Sequence, residues 1–438
     1  MQLALPLMAS NFLQTLYNLT DTWFLGRLDA VSLSAPGVAM PLVWLVVVFS
    51  NGFSTAGITL MSQSKGKGSM EKVELYLGQL TLCMLVLSIV LGGAGVMASP
   101  AFLTWMGTPP ELEGLANAYL RIIFSGMPFL FITVVLQAAY QAVGNGIIPL
   151  VVQGISVGLN VLLDPLFIFG LGPMEGMGVA GAAWATLLAR SLAAVVSIGL
   201  LIHPIHGGPK LRWKTMRPRR SPIALLLRVG LPASMGHSLT ALGFTVLQGV
   251  INSFGTAVIA AFSIGNRLIG LFNMPAMGIS QATAALVGQE LGAGRRDGAN
   301  QVLKTALLTI FTFLITSMTL TFFFGNHFTR FFVDDPQVVA YGADLFRYVS
   351  ASVVFFGLFT VFGGAFQGGG DTRSYMVLNV LRLWGVRLPL AWLFGQLFDW
   401  GPTGVWIAMC SSNMVVFMGA ILVHKRGKWQ QALRPDEL

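Results

Sequence analysis

Apolar residues gather along the chain into twelve stretches, centred near Leu13, Val46, Leu87, Phe131, Leu159 and Ala193, then Thr240, Leu271, Phe313, Phe356, Leu388 and Met414. Crossing roughly 30 Å of hydrocarbon takes about 20 mostly apolar residues. With no water to satisfy the backbone there, each such stretch must be helical. The pattern therefore predicts twelve transmembrane helices. The first begins almost at Met1 with no basic leader, which predicts a true helix rather than a signal peptide. Connections are short except 204–222, which is polar, basic and rich in proline. The expected organisation is a first lobe over 1–203, a linker over 204–222, a second lobe over 223–425 and a tail over 426–438.

Composition agrees with that pattern and removes its rivals. Hydrophobic residues make up 55% and charged residues 10% of the 438, where soluble domains carry roughly 25% charged. Mean hydropathy is +0.73. Too few polar side chains exist to coat a soluble globule, so disorder and a secreted disulfide scaffold are excluded. Cys83 and Cys410 lie in apolar stretches and form no metal-ligand spacing.

The net charge of +9 depends on where it sits. Of the 26 Lys and Arg, 17 fall in loops 2–3, 6–7, 8–9 and 10–11 and the tail, while the opposite loops hold only Arg27 and Arg330. By the positive-inside rule both termini and the linker are expected in the cytoplasm. The charge is thus a topology signal, and no nucleic-acid partner is expected.

One offset of 226 residues relates the two halves. It pairs Pro6 with Pro232, Gly52 with Gly278, Ser54 with Ser280, Gln63 with Gln289, Gly66 with Gly292 and Gly68 with Gly294. Farther on it pairs Arg121 with Arg347, Gln141 with Gln367, Gly144 with Gly370 and Gly178 with Gly404. Six spans per half, an even number, start both halves on the same membrane side. The expected fold is all-α, with two parallel-repeat six-helix lobes around a central cleft that opens alternately to either side.

Within that frame the halves differ chemically. Of 17 acids, only Asp21 and Asp164 lie well inside apolar segments, and the offset places Leu247 and Leu390 at their equivalents. An acid within a span is costly and so is a functional candidate. Asn11, Gln14, Asn18 and Asp21 form one stripe of the first helix; Gln153, Ser156, Asn160 and Asp164 form one stripe of the fifth. Such stripes face each other or water rather than lipid. Asn160 and Asp164 present a carbonyl and a carboxylate one turn apart, and Pro165 removes a backbone donor nearby. Oxygen-rich surroundings suit a proton or a hard cation, whereas simple helix–helix gluing accounts equally for the amides.

Other polar residues are less specific. His237 has the profile of a packing residue. Arg267, Arg382 and Arg387 lie within or near helices and have three uses open to them: neutralising an acid, holding an anionic ligand, or snorkelling to the interface. Twenty Met and 31 Phe suit an adaptable pocket as well as lipid or core. Gln367 through Asp371 is glycine-rich but lacks the Lys-Ser/Thr of a phosphate cradle. No Ser-His-Asp, HExxH or paired-Cys arrangement occurs.

Tyr17 through Arg27 resembles the first-helix signature of the multidrug and toxic compound extrusion (MATE) family. Gln63 with Gly66 and Gly68, Gln289 through Gly294, Asn160 through Pro165 and Gln367 through Thr372 resemble further motifs of that family. The resemblance runs from about Leu3 to Val423. It implies export of amphipathic, often cationic compounds, driven by inward H⁺ or Na⁺, with no other cofactor and no enzymatic reaction. It implies a cation or proton site in the first lobe at Asp21, Asn160 and Asp164, with Thr186 from the sixth helix, and Na⁺ there as the sole metal. A fourth-helix residue also contributes in the family, and the nearest here are Thr133 and Gln137. Gln137 joins Asn11, Gln14, Asn18, Gln153 and Ser156 as the substrate-cleft candidates. Some branches carry acids in helices 7 and 10, and this chain has none deep in either, so no second-lobe cation site is expected. The implied setting is the cytoplasmic membrane of a prokaryote, with the chain acting as a monomer in the bilayer.

Two rivals follow from other features. A flippase for lipid-linked oligosaccharide or polysaccharide precursors would favour a strongly cationic cleft, and the candidate arginines are few. A membrane prenyltransferase would need clustered carboxylates for Mg²⁺, and Asp334-Asp335 is the sole acidic doublet, in a loop.

Overall fold

The structure, a computed structural model, describes residues 2–171, 174–431 and 433; Arg434 of the basic tail lies outside them. The first half contains α1 (Ala4–Leu25), α2 (Ala30–Gly66), α3 (Met70–Trp105), α4 (Pro110–Ser125 continued by Met127–Ala142), α5 (Ile147–Phe169) and α6 (Gly178–Ile202). The second contains α7 (Arg220–Asn252), α8 (Thr256–Gly292), α9 (Arg296–Arg330), α10 (Pro336–Gly369), α11 (Thr372–Leu397) and α12 (Gly401–Lys425). All twelve predicted centres fall inside these helices.

Among the described residues, nine helices are individually long and apolar enough to cross a membrane, or ten with α4 taken as one bent span. The remaining two, α1 and α7, are diluted by their own polar content: the Asn11-to-Asp21 stripe in α1, and Arg220, Arg228 and His237 in α7. The sole strand pairing is a two-residue antiparallel contact, Gly170–Leu171 with Met174–Glu175, between α5 and α6 among the described residues.

The 226-residue register is visible in the helix boundaries. α2 and α8 are both 37 residues long and begin and end at equivalent positions. The turns that follow them close in the same way. Gly68 has φ 75° and Gly294 φ 77°, a left-handed conformation that glycine adopts without Cβ strain.

Two local departures from the repeat stand out, and the first has a cause in the sequence. α4 bends by 47° between its two pieces, where Gly126 is followed by Pro128, a residue with no amide donor and a ring that crowds the preceding turn. Val354 stands at the equivalent place and α10 is unbroken. In the second half, α11 widens into π-helix over Leu381–Arg387 and again over Leu393–Leu397.

The chain divides into two units, with the boundary between Gly230 and Leu231, about a turn and a half short of the middle of α7. In the first unit, α5 packs against α6 and α1, and α2 against α3 and α4. The linker is fastened to this unit. Gln79 on α3 donates to the carbonyls of Thr215 (2.6 Å) and Arg217 (2.7 Å) and accepts from the Arg219 amide (2.9 Å). Glu74, one turn earlier, pairs with Arg212 at 2.8 Å. In the second unit α10 is the centre, with 83% of its apolar window buried against α8, α9 and α12.

Candidate functional site: a buried acid pair in the first unit

The contact between α1 and α5 turns the two polar stripes toward each other. Gln153 Nε2 donates to Gln14 Oε1 at 3.1 Å, joining the stripes near one end. At the other end the carboxyl groups of Asp21 and Asp164 adjoin each other, and Asn160 adjoins both. The two polar stripes thus gather both acids found deep in a span.

Asp21 is half-buried, and its partners are enclosed. Asn160 and Asp164 are fully buried and Thr186 nearly so. Asn160 Nδ2 donates to Asp164 Oδ1 at 3.1 Å, the one-turn contact that the spacing of four predicts. From α6, Thr186 Oγ1 donates to Asp21 Oδ2 over a long 3.4 Å. Three acceptor oxygens remain buried without a hydrogen-bond partner: Asp21 Oδ1, Asp164 Oδ2 and Asn160 Oδ1. Buried polar atoms are rarely left so. Adjoining carboxylates repel, and a shared proton or a cation relieves both the repulsion and the missing bonds. The donor set is all oxygen, which suits a hard cation such as Na⁺ or a proton. Among the described residues no group of three or more His, Cys, Asp or Glu gathers, so the softer ligands of transition metals are not assembled.

The other candidate positions are distributed less tightly. Asn11 and Asn18 lie half-buried on the same face of α1, and Ser156 is buried on α5. Asn11 Nδ2 has no partner. Gln137 on α4 is half-buried, and Thr133 gives its hydroxyl to the Leu130 carbonyl at 2.7 Å. Neither supplies a hydrogen bond to the unpartnered carboxyl oxygens. An α4 side chain within electrostatic reach of the acids is instead Tyr119, buried in the first piece of the bent helix.

Tyr119, Tyr17 and Arg190 are neighbours that sequence reasoning missed. Arg190 lies over the Tyr17 ring at 5.6 Å and acts electrostatically on Asp21. A signal existed: Arg190 stands four residues after Thr186, and Tyr17 four before Asp21, each on the same helix face. For Tyr119 no sequence signal existed, because the bend in α4 decides which face of that helix reaches α1.

Twelve helices in two matched sets, with an adjoining pair of acids in one of them, have the organisation of a membrane transporter. The chain belongs to the MatE family, whose model matches twice, over residues 6–166 and 232–393, in the register of the repeat. It is 28% identical to "Probable multidrug resistance protein YpnP" of Bacillus subtilis, over 98% of this chain and 94% of that one. It is likewise 28% identical to "Probable multidrug resistance protein NorM" of Thermotoga maritima, over 98% and 92%. Among solved structures, a MOP superfamily transporter from Pyrococcus furiosus matches in fold with a TM-score of 0.90 at 23% identity, covering 98% of this chain and 94% of that one.

Proposed function

We propose that the protein is a secondary active exporter that extrudes amphipathic, often cationic compounds in antiport with H⁺ or Na⁺, and that Asp21 and Asp164 form its coupling site. The observation that carries this reading is the convergence of three buried, unpartnered acceptor oxygens on Asp21, Asn160 and Asp164. Relatives named as multidrug resistance proteins support the substrate class.

The coupling follows from charge. When a proton or Na⁺ occupies the pair, the site is neutral and α1, α5 and α6 pack closely around it. When the ion leaves, two adjoining carboxylates regain charge in a place poorly able to solvate it, which favours a more hydrated arrangement. A substrate that binds one arrangement preferentially then exchanges against the ion, because linkage between two ligands is reciprocal. Asn160 holds Asp164, and Thr186 holds Asp21, so both carboxyls present their remaining oxygens to one ion.

The setting we propose is the cytoplasmic membrane of a prokaryote, with both termini and the basic linker inside, as the Lys and Arg distribution predicts. We further propose that a single chain suffices and that the second half has no cation site, since Leu247 and Leu390 replace the acids. The test is reconstitution in liposomes with Na⁺ and pH gradients imposed independently. Gradient-dependent movement of a lipophilic cation supports antiport, and flux indifferent to either gradient refutes it.

A further inference from the structure

The second unit buries two cations with no acid beside them. Of the three uses open to Arg382 and Arg387, the structure removes two. Neutralising an acid fails: α7, α11 and α12 contain no Asp or Glu, and Asp344 of α10 stands twelve residues before Phe356, about 18 Å along the helix. Among the described residues neither arginine forms an ion pair, and the charged group that bears on Arg387 is Arg382 itself. Snorkelling fails as well. Each is only 2% exposed, and Arg382 stands ten residues into α11. That is about 15 Å along a helix, half the depth of a roughly 30 Å core. Arg267, by contrast, is exposed.

The local backbone puts the two guanidiniums to joint use. Residues five apart on an α-helix point about 140° away from each other. The π-helical turn over Leu381–Arg387, with its i→i+5 bonds, stacks them instead. Both guanidinium carbons consequently lie 5.9 Å from the centroid of one ring, Phe244.

Their partners differ. Arg387 is fixed: Nε donates to Ser412 Oγ at 2.9 Å and Nη2 to Asn413 Oδ1 at 2.8 Å. Arg382 lies over Phe356 at 4.4 Å, and its buried Nε finds no acceptor in the protein. An aromatic ring covers a face of a guanidinium and leaves the in-plane N–H groups free. The Nε edge of that plane matches a carboxylate, which accepts two parallel bonds from it.

We propose that the second unit holds an anion subsite in which Arg382 receives a carboxylate along its Nε edge. Arg387 supplies a second, fixed positive charge, and Phe244 and Phe356 form the aromatic wall for the apolar body attached to that carboxylate. The ligand class is an amphipathic carboxylate, zwitterions included. As a substrate subsite this rests on the export reading; as a binding site it does not.

The test is fluorescence titration of the purified protein with 4-(1-pyrenyl)butyrate, alongside its neutral isostere 4-(1-pyrenyl)butanol. The carboxylate is expected to bind at least ten-fold more tightly than the alcohol, and formate to displace it where equal chloride does not. Arg382→Gln should weaken the carboxylate at least ten-fold and leave the alcohol unchanged, with Arg382→Lys between the two. Removing a buried, unpaired cation relieves a desolvation cost, so the glutamine variant is expected to fold. Should it not, the wild-type comparison decides alone: equal binding of acid and alcohol overturns the site. Displacement by chloride as effective as by formate overturns the carboxylate assignment in favour of a simple halide. Asp164→Asn should keep the preference for the carboxylate over the alcohol, so loss of driven export in that variant tests the coupling reading separately.

Discussion

Asp21 and Asp164 in the first half correspond to Leu247 and Leu390 in the second, while Ser156 corresponds to the buried Arg382 and Asn18 to Phe244. Thr186, which donates to Asp21, corresponds to Ser412, which accepts from Arg387. The same six-helix frame therefore encloses carboxylates in one half and guanidiniums in the other. The frame is set by apolar residues, helix ends and close approaches spread over some 200 positions. The sign of the enclosed charge is set by a handful of side chains that do not support that frame. A duplicated lobe can thus change what it binds without changing how it folds.

The largest expected effect removes the charge on one side of this comparison. Asp21→Asn or Asp164→Asn should lower ion-driven efflux at least ten-fold in liposomes while the protein still folds, because the amide keeps shape and hydrogen-bonding capacity. Leu390→Asn, at the equivalent of Asp164, should leave the ion dependence unaltered. Wild-type efflux by Asp164→Asn would remove Asp164 from the coupling site.

The second contrast concerns one glycine pair that serves two purposes. At Gly404 a Cβ would lie 2.6 Å from the Phe394 carbonyl carbon. Gly404→Ala should therefore destabilise the protein by about 1–3 kcal/mol through overpacking. At Gly178 a Cβ would meet only Leu28 Cδ1, at an ordinary 3.9 Å, but φ is +56°, so Gly178→Ala should cost about 1–2 kcal/mol through backbone strain. Thermal unfolding with the further variants Gly404→Ser and Gly178→Asn separates the causes: asparagine tolerates the left-handed region and should restore stability at 178, whereas serine should not restore it at 404.

A smaller difference lies in the linker clamp. Gln79→Ala removes three hydrogen bonds to the Thr215–Arg219 segment and should cost about 1 kcal/mol. Trypsin cleavage at Arg219 and Arg220 should become faster. Thr305, at the equivalent position in the second half, is exposed, and Thr305→Ala should leave the cleavage rate unchanged.

The smallest effect is at the start of α2. Asp29 accepts from the Ser32 amide at 2.6 Å and the Ser32 hydroxyl at 3.0 Å, and these donors hold its carboxyl below the usual carboxylate range. A group depressed in the folded state stabilises above its unfolded value and loses that contribution as pH falls through the folded value. The equivalent cap of α8 is Gly255, with no side chain to titrate. Amide exchange, corrected for intrinsic rates, should show the first turn of α2 loosening in acid below the ordinary carboxylate range while that of α8 does not. Equal response at both ends would remove the cap from the explanation.

Much of the molecule followed from the sequence alone. Burying a backbone in hydrocarbon leaves helices as the only solution for apolar stretches of this length, so the twelve spans were determined by composition and spacing. The repeat was likewise determined, since one offset aligned glycines whose turns prove to share backbone conformation. The acids stood out because a carboxylate in an apolar stretch is costly, and the spacing of four placed Asn160 beside Asp164. Tertiary structure decided what spacing within one helix cannot express. The bend at Gly126-Met127-Pro128 brought Tyr119 rather than Gln137 to the acid pair, and packing of α6 placed Arg190 over Tyr17. The π-helical turn in α11 did the same for the arginines. A 3.6-residue period predicts that Arg382 and Arg387 diverge, and only the wider turn, settled by packing against α7 and α12, brings both to one ring.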